Sequence, residues 1–384
     1  MPIALLKFPT DLLGDVFKLC DPFELYKLSK CSKRTQRSIM LGGRKNWKIR
    51  FNAGSSKKVY VNGLHYNYDK NEVVLYVDNL IYIFEKAAKP EDVFITEHVG
   101  RGRNHFQPEG YMSIQCPDID LELFSNLLVT FGISIVDRLK IDFRSFESFS
   151  NIADILIGRN IEIKEFCVEE AETRKVIDAV NYMPLINQMN ITQRFECQQR
   201  FLRRYNYQLD TFPNKIIINW SFWFNIDQLL NNRSARIKLW ESKLSNQDIN
   251  MFFEKWKKAG TFPNLRYLEI DSIKFDNKSP ILEMIPPIEQ KRPRIEIRDG
   301  RNVIEGITDA VQVTKDDGTV GYLRVELGTN PRLYFLVANP ADTVRYRHGR
   351  SGMTCDLLQM PIALLKFPTD LLRDVFKFCD PFEL

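Results

Sequence analysis

The sequence lacks the residue patterns that mark most metal and redox sites. It has 4 histidines and 7 cysteines, and the cysteines are scattered at positions 20, 31, 116, 167, 197, 355 and 379 without a CxxC pair. Zinc and iron–sulfur sites need ligands at short, regular spacing, and an odd, dispersed set of cysteines does not build a disulfide framework. We therefore expect reduced thiols, no metal and no cofactor.

Long apolar runs and strong charge of one sign are missing as well. No stretch approaches the ~20 apolar residues of a membrane-spanning helix, and the start of the chain has no signal-peptide cleavage site. The net charge is +5 for 384 residues, without a basic arm. Neither a membrane nor a nucleic acid is therefore an expected partner, and the predicted location is the cytoplasm, the nucleus or both.

No catalytic signature is present either. The sequence contains no GxSxG, P-loop, HExxH or dinucleotide-binding motif, and these are the patterns that place nucleophiles, phosphate-binding amides or zinc ligands. We predict no catalytic residues. An enzyme with an unrecognised site is the alternative, and it would need a deep pocket with convergent polar groups.

The patterns that are present predict an α+β fold in four parts. Residues 5–45 read as three short helices, and residues 57–118 alternate apolar and polar positions in short runs, which is typical of a β-meander and a loop. Residues 120–340 predict an irregular α/β stack, similar to leucine-rich repeats, with a β-rich piece at its end. Residues 341–384 are expected to be a poorly ordered tail.

In the stack, β-rich segments alternate with helical ones at about 25 residues, the period of one strand plus one return helix. The predicted strands are Leu139–Phe143, Lys164–Val168, Gln188–Thr192, Ile216–Trp220, Ile237–Glu241 and Arg266–Asp271, followed in the final piece by Ile295–Arg298, Ala310–Thr314, Tyr322–Leu327 and Leu333–Val337. The clearest helix lies in 244–259, where Ser245 and Asp248 form a capping pair ahead of an apolar stripe ending at Trp256.

Residues 8–39 carry a motif that resembles the F-box. They read FPTDLLGDVFKLCDPFELYKLSKCSKRTQRSI, with an apolar residue and proline, an acidic residue, paired leucines, an aliphatic–aromatic pair, D-P-x-x-L and a basic third helix. Residues 212–270, from FPNKIIINW to NLRYLEI, resemble the type 2 F-box-associated domain of nematode proteins. Together the two resemblances cover roughly residues 5–340.

The resemblance implies a substrate receptor of a Skp–cullin–F-box ubiquitin ligase. The F-box helices would bind a Skp-type adaptor and, through it, a cullin, while the associated domain would bind a target protein. The adaptor-contact residues implied by position are Phe8, Pro9, Leu12, Leu13, Val16, Phe17, Leu25 and Leu28. Three helices in ~35 residues cannot bury all their apolar faces among themselves, which agrees with such a docking role.

Two further interpretations concern binding. The chain could instead be a repeat-type interaction scaffold without a ligase role, whose first helices only cap the stack. For the target, the run from Trp220 to Phe224 alternates apolar side chains, which would leave Trp223 on the opposite strand face. Aromatic side chains dominate interface hot spots, so Trp223 is a weak candidate for the anchor of a bound protein.

The end of the chain repeats its beginning. Residues 360–384 match residues 1–25 except at Gly14/Arg373 and Leu19/Phe378. A functional repeat array would show several complete units, whereas this is one partial copy with its own methionine. We interpret it as a reading frame that has run into a nearly identical tandem neighbour, and the alternative is a second docking arm.

Deleting residues 360–384 is therefore expected to change neither the melting temperature nor the affinity for the adaptor. The copy keeps Leu371 and Leu372 but stops inside its second helix, and an isolated helix this short is marginal in water. Thermal unfolding and calorimetric titration of the deleted and full chains measure both quantities. A clear loss of either would identify the repeat as a working docking arm.

Overall fold

A computed structural model describes most of the chain between residues 9 and 338. The described ranges are 9–20, 22–42, 47–52, 59–61, 64–66, 72–77, 80–86, 95–98, 111–116, 121–143, 146–170, 180–202, 207–292, 294–299 and 302–338. Phe8, Asp21, residues 62–63 and the predicted tail at 341–384 lie outside the described residues.

The described residues contain helices and strands in the following order. The helices are α1 (Thr10–Leu19), α2 (Pro22–Cys31), α3 (Lys33–Gly42), α4 (Leu121–Thr130), α5 (Phe146–Gly158), α6 (Met183–Gln188), α7 (Ile226–Asn231) and α8 (Asn246–Lys257). The strands are β1 (Lys48–Asn52), β2 (Val59–Val61), β3 (Leu64–Tyr66), β4 (Glu72–Val77), β5 (Leu80–Lys86), β6 (Ile95–His98), β7 (Tyr111–Cys116), β8 (Ile135–Asp142), β9 (Glu162–Glu169), β10 (Asn190–Cys197), β11 (Lys215–Ile218), β12 (Arg236–Ser242), β13 (Tyr267–Ser272), β14 (Ile295–Asp299), β15 (Asn302–Ile307), β16 (Val311–Thr314), β17 (Val320–Glu326) and β18 (Arg332–Ala338).

One sheet of 14 strands organises the described residues, in the order β16-β17-β18-β13-β12-β11-β10-β9-β8-β1-β4-β5-β7-β6. Its centre, from β8 to β13, is parallel and keeps the order of the sequence. Both flanks contain antiparallel pairs, such as β13 with β18 and β1 with β4. The chain thus has a mixed α/β fold. It combines one large sheet with helices, and helices α1–α3 come first in the chain.

A layer of helices covers one face of this sheet. Helix α3 contacts α4, α4 contacts α5, α5 contacts α6, and α7 contacts α8. Strand side chains at alternate positions point into this layer, as period-2 geometry requires, and Phe166 stacks on Phe195 across β9 and β10 with ring centroids 6.2 Å apart. One apolar cluster thus runs from Phe17 in α1 to Phe335 in β18.

The opposite face of the sheet, called here the open face, carries mostly charged side chains over β8–β12, with the buried Ile217 and the half-buried Trp240 among them. At the carboxyl-terminal end it is covered by the β14–β15 hairpin, which encloses a second apolar cluster containing Tyr267, Ile295 and Leu336. No helix in the described part of the chain is long and apolar enough to cross a bilayer.

The structure corrects the predicted boundary at residue 118. Strands β4, β5, β6 and β7 are not a separate meander, because β1 joins them to the main sheet by pairing antiparallel with β4 and parallel with β8. Part of the predicted loop before residue 116 is strand β7. The sequence prediction also missed β1, a five-residue strand whose position between β4 and β8 only the tertiary structure reveals.

Helix α8 confirms the predicted helix and its capping pair. The Ser245 hydroxyl accepts a hydrogen bond from the Asp248 backbone N–H at 3.3 Å, and the Asp248 carboxylate accepts one from the Ser245 backbone N–H at 2.8 Å. The stripe that ends at Trp256 is buried, and the Trp256 ring meets Phe335 edge-on at 4.8 Å. Local hydrogen bonds and sheet packing therefore define the same helix.

Trp256→Ala is expected to lower the free energy of unfolding by about 3–5 kcal/mol, because a large buried ring leaves a cavity that neighbours fill only partly. The matched control is Lys257→Ala on the exposed side of the same helix, with an expected change below about 0.5 kcal/mol. Chemical denaturation of both variants measures the difference. Equal effects would contradict the orientation of α8.

Candidate functional site

Helix α1 carries two apolar faces, of which one is buried and the other is mostly exposed in the part of the chain that the structure describes. Its inner face contains Leu13 and Phe17, which are buried in the core. Its outer face contains Leu12 and Leu19, which are 47% and 88% exposed. Pro9 is exposed and Val16 is half-buried, and the spacing 9, 12, 16, 19 follows one side of a helix. We call this stripe the α1 outer face.

The predicted adaptor residues therefore divide into two groups. Leu13, Phe17 and Leu25 pack with Ile39 and Trp47 in the interior, and Leu28 is half-buried against the same cluster. The remaining described members of the predicted set, Pro9, Leu12 and Val16, lie on the α1 outer face. The inner three can support a docking surface but do not form one in this conformation.

Leu19 belongs to the α1 outer face although the sequence prediction omitted it. The set of adaptor-contact residues implied by position combined two stripes of α1 that point in different directions, Leu12 with Val16 and Leu13 with Phe17. Continuing the spacing from Leu12 and Val16 by three residues leads to Leu19, so helical periodicity alone could have identified it.

The first three helices are attached to the helix layer of the sheet by specific contacts. The Thr130 hydroxyl of α4 donates to the Ser29 hydroxyl of α2 at 3.4 Å and accepts from the Gln36 amide of α3 at 3.4 Å. Gly132, just after α4, has φ of +60°, and a Cβ there would lie 3.1 Å from Met40 Cγ. The amino-terminal helices thus pack on α4 and are part of the same body.

A second candidate site, the aromatic cleft, lies where strands β10 to β13 end. It has a volume of about 110 Å³ and is lined by Arg200, Trp220, Phe222, Glu241, Ser242, Lys243 and Ile273. Cavities that hold small-molecule ligands are usually about 300–1,000 Å³. The aromatic cleft has room for about one apolar side chain of a partner protein.

Short contacts fix the walls of the aromatic cleft. The Arg200 guanidinium lies 4.8 Å from the centre of the Trp220 ring, and Lys243 Nζ lies 5.5 Å from the centre of the Phe222 ring. Ile273 is 71% exposed beside them. Glu241 has φ of +52°, in the left-handed region that a side chain rarely adopts, and such strain is concentrated at binding sites.

The turn after β11 explains which aromatic residues line the cleft, and it corrects the prediction for Trp223. Strand β11 ends at Ile218, and the Ser221 backbone N–H and hydroxyl both donate to the Trp240 carbonyl at 2.8 Å. The alternation expected through residue 224 therefore stops. Trp223 is 2% exposed and packs 5.7 Å from Tyr207, so it is a core residue and not a surface anchor.

The described residues show no cluster of His, Cys, Asp or Glu that could hold a metal ion. Burial raises the pKa of the Cys197 thiol to about 12, and it also raises the pKa of Cys167, to which the nearby Glu196 adds. Both thiols are therefore protonated at neutral pH, whereas the thiolate is the reactive form. Cys167 and Cys197 are therefore buried residues with a structural role and not reactive thiols.

Two parts of the chain match known domain families, and these parts overlap the α1 outer face and the aromatic cleft. Residues 5–41 match the F-box domain, and residues 205–270 match the domain described as F-box associated. The first match spans α1–α3, and the second includes Trp220, Phe222, Glu241, Ser242 and Lys243 of the aromatic cleft. Neither a curated protein nor a solved structure matches the chain. The chain therefore contains one region similar to the F-box domain and one similar to the F-box associated domain, two families that are generally non-enzymatic.

Proposed function

We propose that this chain is a non-catalytic substrate receptor of a Skp–cullin–F-box ubiquitin ligase. The α1 outer face binds the Skp-type adaptor, which links the chain to a cullin, and the aromatic cleft binds the target protein. The α1 outer face is the observation that carries the proposal. It lies within the F-box match and leaves Leu12 and Leu19 exposed.

If the chain were a repeat-type scaffold without a ligase role, helix α1 would be expected to have a different outer surface. Helices α1–α3 do cap the helix layer, since α2 and α3 contact α4. A terminal cap of a repeat stack, however, needs a polar outer surface for solubility. An outer face with Leu12, Val16 and Leu19 suits a surface that a partner covers, which favours the receptor over a scaffold.

Leu12→Ala combined with Leu19→Ala is expected to weaken adaptor binding at least tenfold. Burying a leucine side chain contributes about 1.5–3 kcal/mol, and about 1.4 kcal/mol is a factor of ten in affinity. Calorimetric titration with purified adaptor measures the effect. The melting temperature should stay nearly constant because neither side chain belongs to the buried core.

The control for this experiment is Met251→Ala, which truncates an equally apolar side chain, 45% exposed, on α8. Its adaptor affinity should equal that of the unaltered chain. Unchanged affinity in the double leucine variant would contradict the docking role of the α1 outer face. Loss in the Met251 variant would show that the assay reports non-specific apolar contact.

For the target-binding part we retain the leucine-rich-repeat-like interpretation as a proposal. It is supported by the order of β8 to β13, which are parallel neighbours in chain order, with helices α5, α6, α7 and α8 between successive strands except between β10 and β11. In such a stack the loops at one end of the strands form a continuous binding edge. The aromatic cleft lies on that edge.

Trp220→Ala combined with Ile273→Ala is expected to abolish target ubiquitination while adaptor binding stays unchanged. Ile273 is exposed and Trp220 is half-buried, both line the cleft, and neither belongs to the apolar clusters; a few anchors provide most of the affinity at an interface. Quantitative proximity labelling with the unaltered chain and with the double variant identifies proteins that are labelled only when the cleft is intact. Ubiquitin transfer to these proteins is then measured in a reconstituted reaction with each of the two chains. Identical transfer by both chains would exclude the cleft as target site.

A further inference from the structure

Charged side chains on the open face form rows, because parallel strands in register place residues directly beside one another. In most of these rows opposite charges pair. Lys238 Nζ lies 3.4 Å from Glu269 and 3.2 Å from Glu305, and Arg332 lies 3.1 Å from Asp271. Such pairing keeps half-buried charges from being isolated in a region of low dielectric.

One row departs from this pairing. Arg194 on β10 lies beside Lys215 on β11, and Lys215 lies beside Arg236 on β12. Neighbouring strands are about 4.8 Å apart, so three positive side chains follow one another across three strands. We call this set the cation row, and all three side chains are half-buried.

Negative charge balances the cation row only in part. Arg194 forms an ion pair with Glu196 of its own strand. Within the described part of the chain, Lys215 and Arg236 form no ion pair. Burial lowers the pKa of Lys215, and the charges of Arg194, Lys238 and Arg236 lower it further, against an opposing effect of Glu305. The positive charges therefore repel one another in the unbound protein.

We propose that the cation row binds an acidic segment, rich in Asp or Glu, of the target protein. This assignment rests on the proposed receptor function and specifies the chemistry of the target. Carboxylates placed between Lys215 and Arg236 would accept hydrogen bonds from both and cancel their repulsion. Because Lys215 and Arg236 form no ion pair within the described part of the chain, the partner would supply the carboxylates that bind them.

The shape of the row favours an extended peptide. The three positions form a line of about 10 Å across two strand spacings and do not converge on one point as a site for a single small anion would. Same-side residues of an extended segment are about 7 Å apart, so two or three acidic residues span the row. Lys215 and Trp220 are five residues apart in the chain, at most about 17 Å, so one segment could reach the aromatic cleft.

The neighbouring positions disfavour a nucleic acid. In register with Arg194 on the other side lies Glu165, which accepts a hydrogen bond from Arg138 at 2.7 Å. The row is thus limited to three strands and ends beside a carboxylate, whereas a nucleic-acid backbone needs positive charge along an extended stripe.

The test uses the full chain and a fluorescent peptide of eight glutamates, with a peptide of eight glutamines as the uncharged control. Lys215→Gln combined with Arg236→Gln should weaken binding of the glutamate peptide at least tenfold. Arg233→Gln combined with Lys257→Gln removes the same charge from exposed positions elsewhere, and it should change affinity less than twofold. Fluorescence anisotropy at low and physiological salt measures each affinity, with weaker binding at higher salt.

The melting temperature and the adaptor affinity distinguish a failure of the acidic-segment assignment from a failure of the proposed receptor function. The Lys215/Arg236 variant should keep or raise the melting temperature, because it removes repelling charges, and it should bind the adaptor normally. Equal binding of both peptides, or equal loss in both double variants, would overturn the acidic-segment assignment and leave the receptor function intact. Tighter binding of single-stranded RNA than of the glutamate peptide, lost in the Lys215/Arg236 variant, would also overturn it.

Discussion

Phe17 in the first helix and Phe335 in the last strand belong to the same apolar layer between the sheet and its helices. Burying each such side chain contributes about 1.5–3 kcal/mol, and the layer requires one face of every helix to point at the sheet. For α1 this requirement uses Leu13 and Phe17. The apolar residues Leu12 and Leu19 lie on the other side of the helix and are exposed.

The same layer determines what the other face of the sheet can be. Since alternate side chains of each strand point away from the helices, β8–β12 present mostly charged residues on the open face, such as Glu165, Arg194 and Lys238. Most charges there are paired, as in the Lys164–Asp137 bridge at 2.8 Å. Against this background Lys215 and Arg236 stand out, because half-buried positive charges side by side reduce stability unless a partner compensates them.

Features set by nearby residues could be predicted from the sequence, and features set by strand register could not. Helix α8 was predicted because its capping pair and apolar stripe lie within a dozen residues. Trp223 was misplaced because a hydrogen bond from Ser221 to the distant Trp240 ends the alternation. The cation row joins residues of three strands that are far apart in sequence, and only the register brings them together.

The residues that stabilise the fold and the residues of the candidate binding sites lie in different parts of the structure. Side chains in the apolar layer, such as Trp256, hold the sheet and its helices together and lie outside the candidate binding sites. The α1 outer face, the aromatic cleft and the cation row lie outside the apolar layer, so they can change without loss of the fold. Because α2 and α3 are attached to α4 through Thr130, and α1 packs on α3, the α1 outer face is connected to the sheet through direct contacts. In the proposed receptor, this attachment would present a bound target at a constant distance from the adaptor.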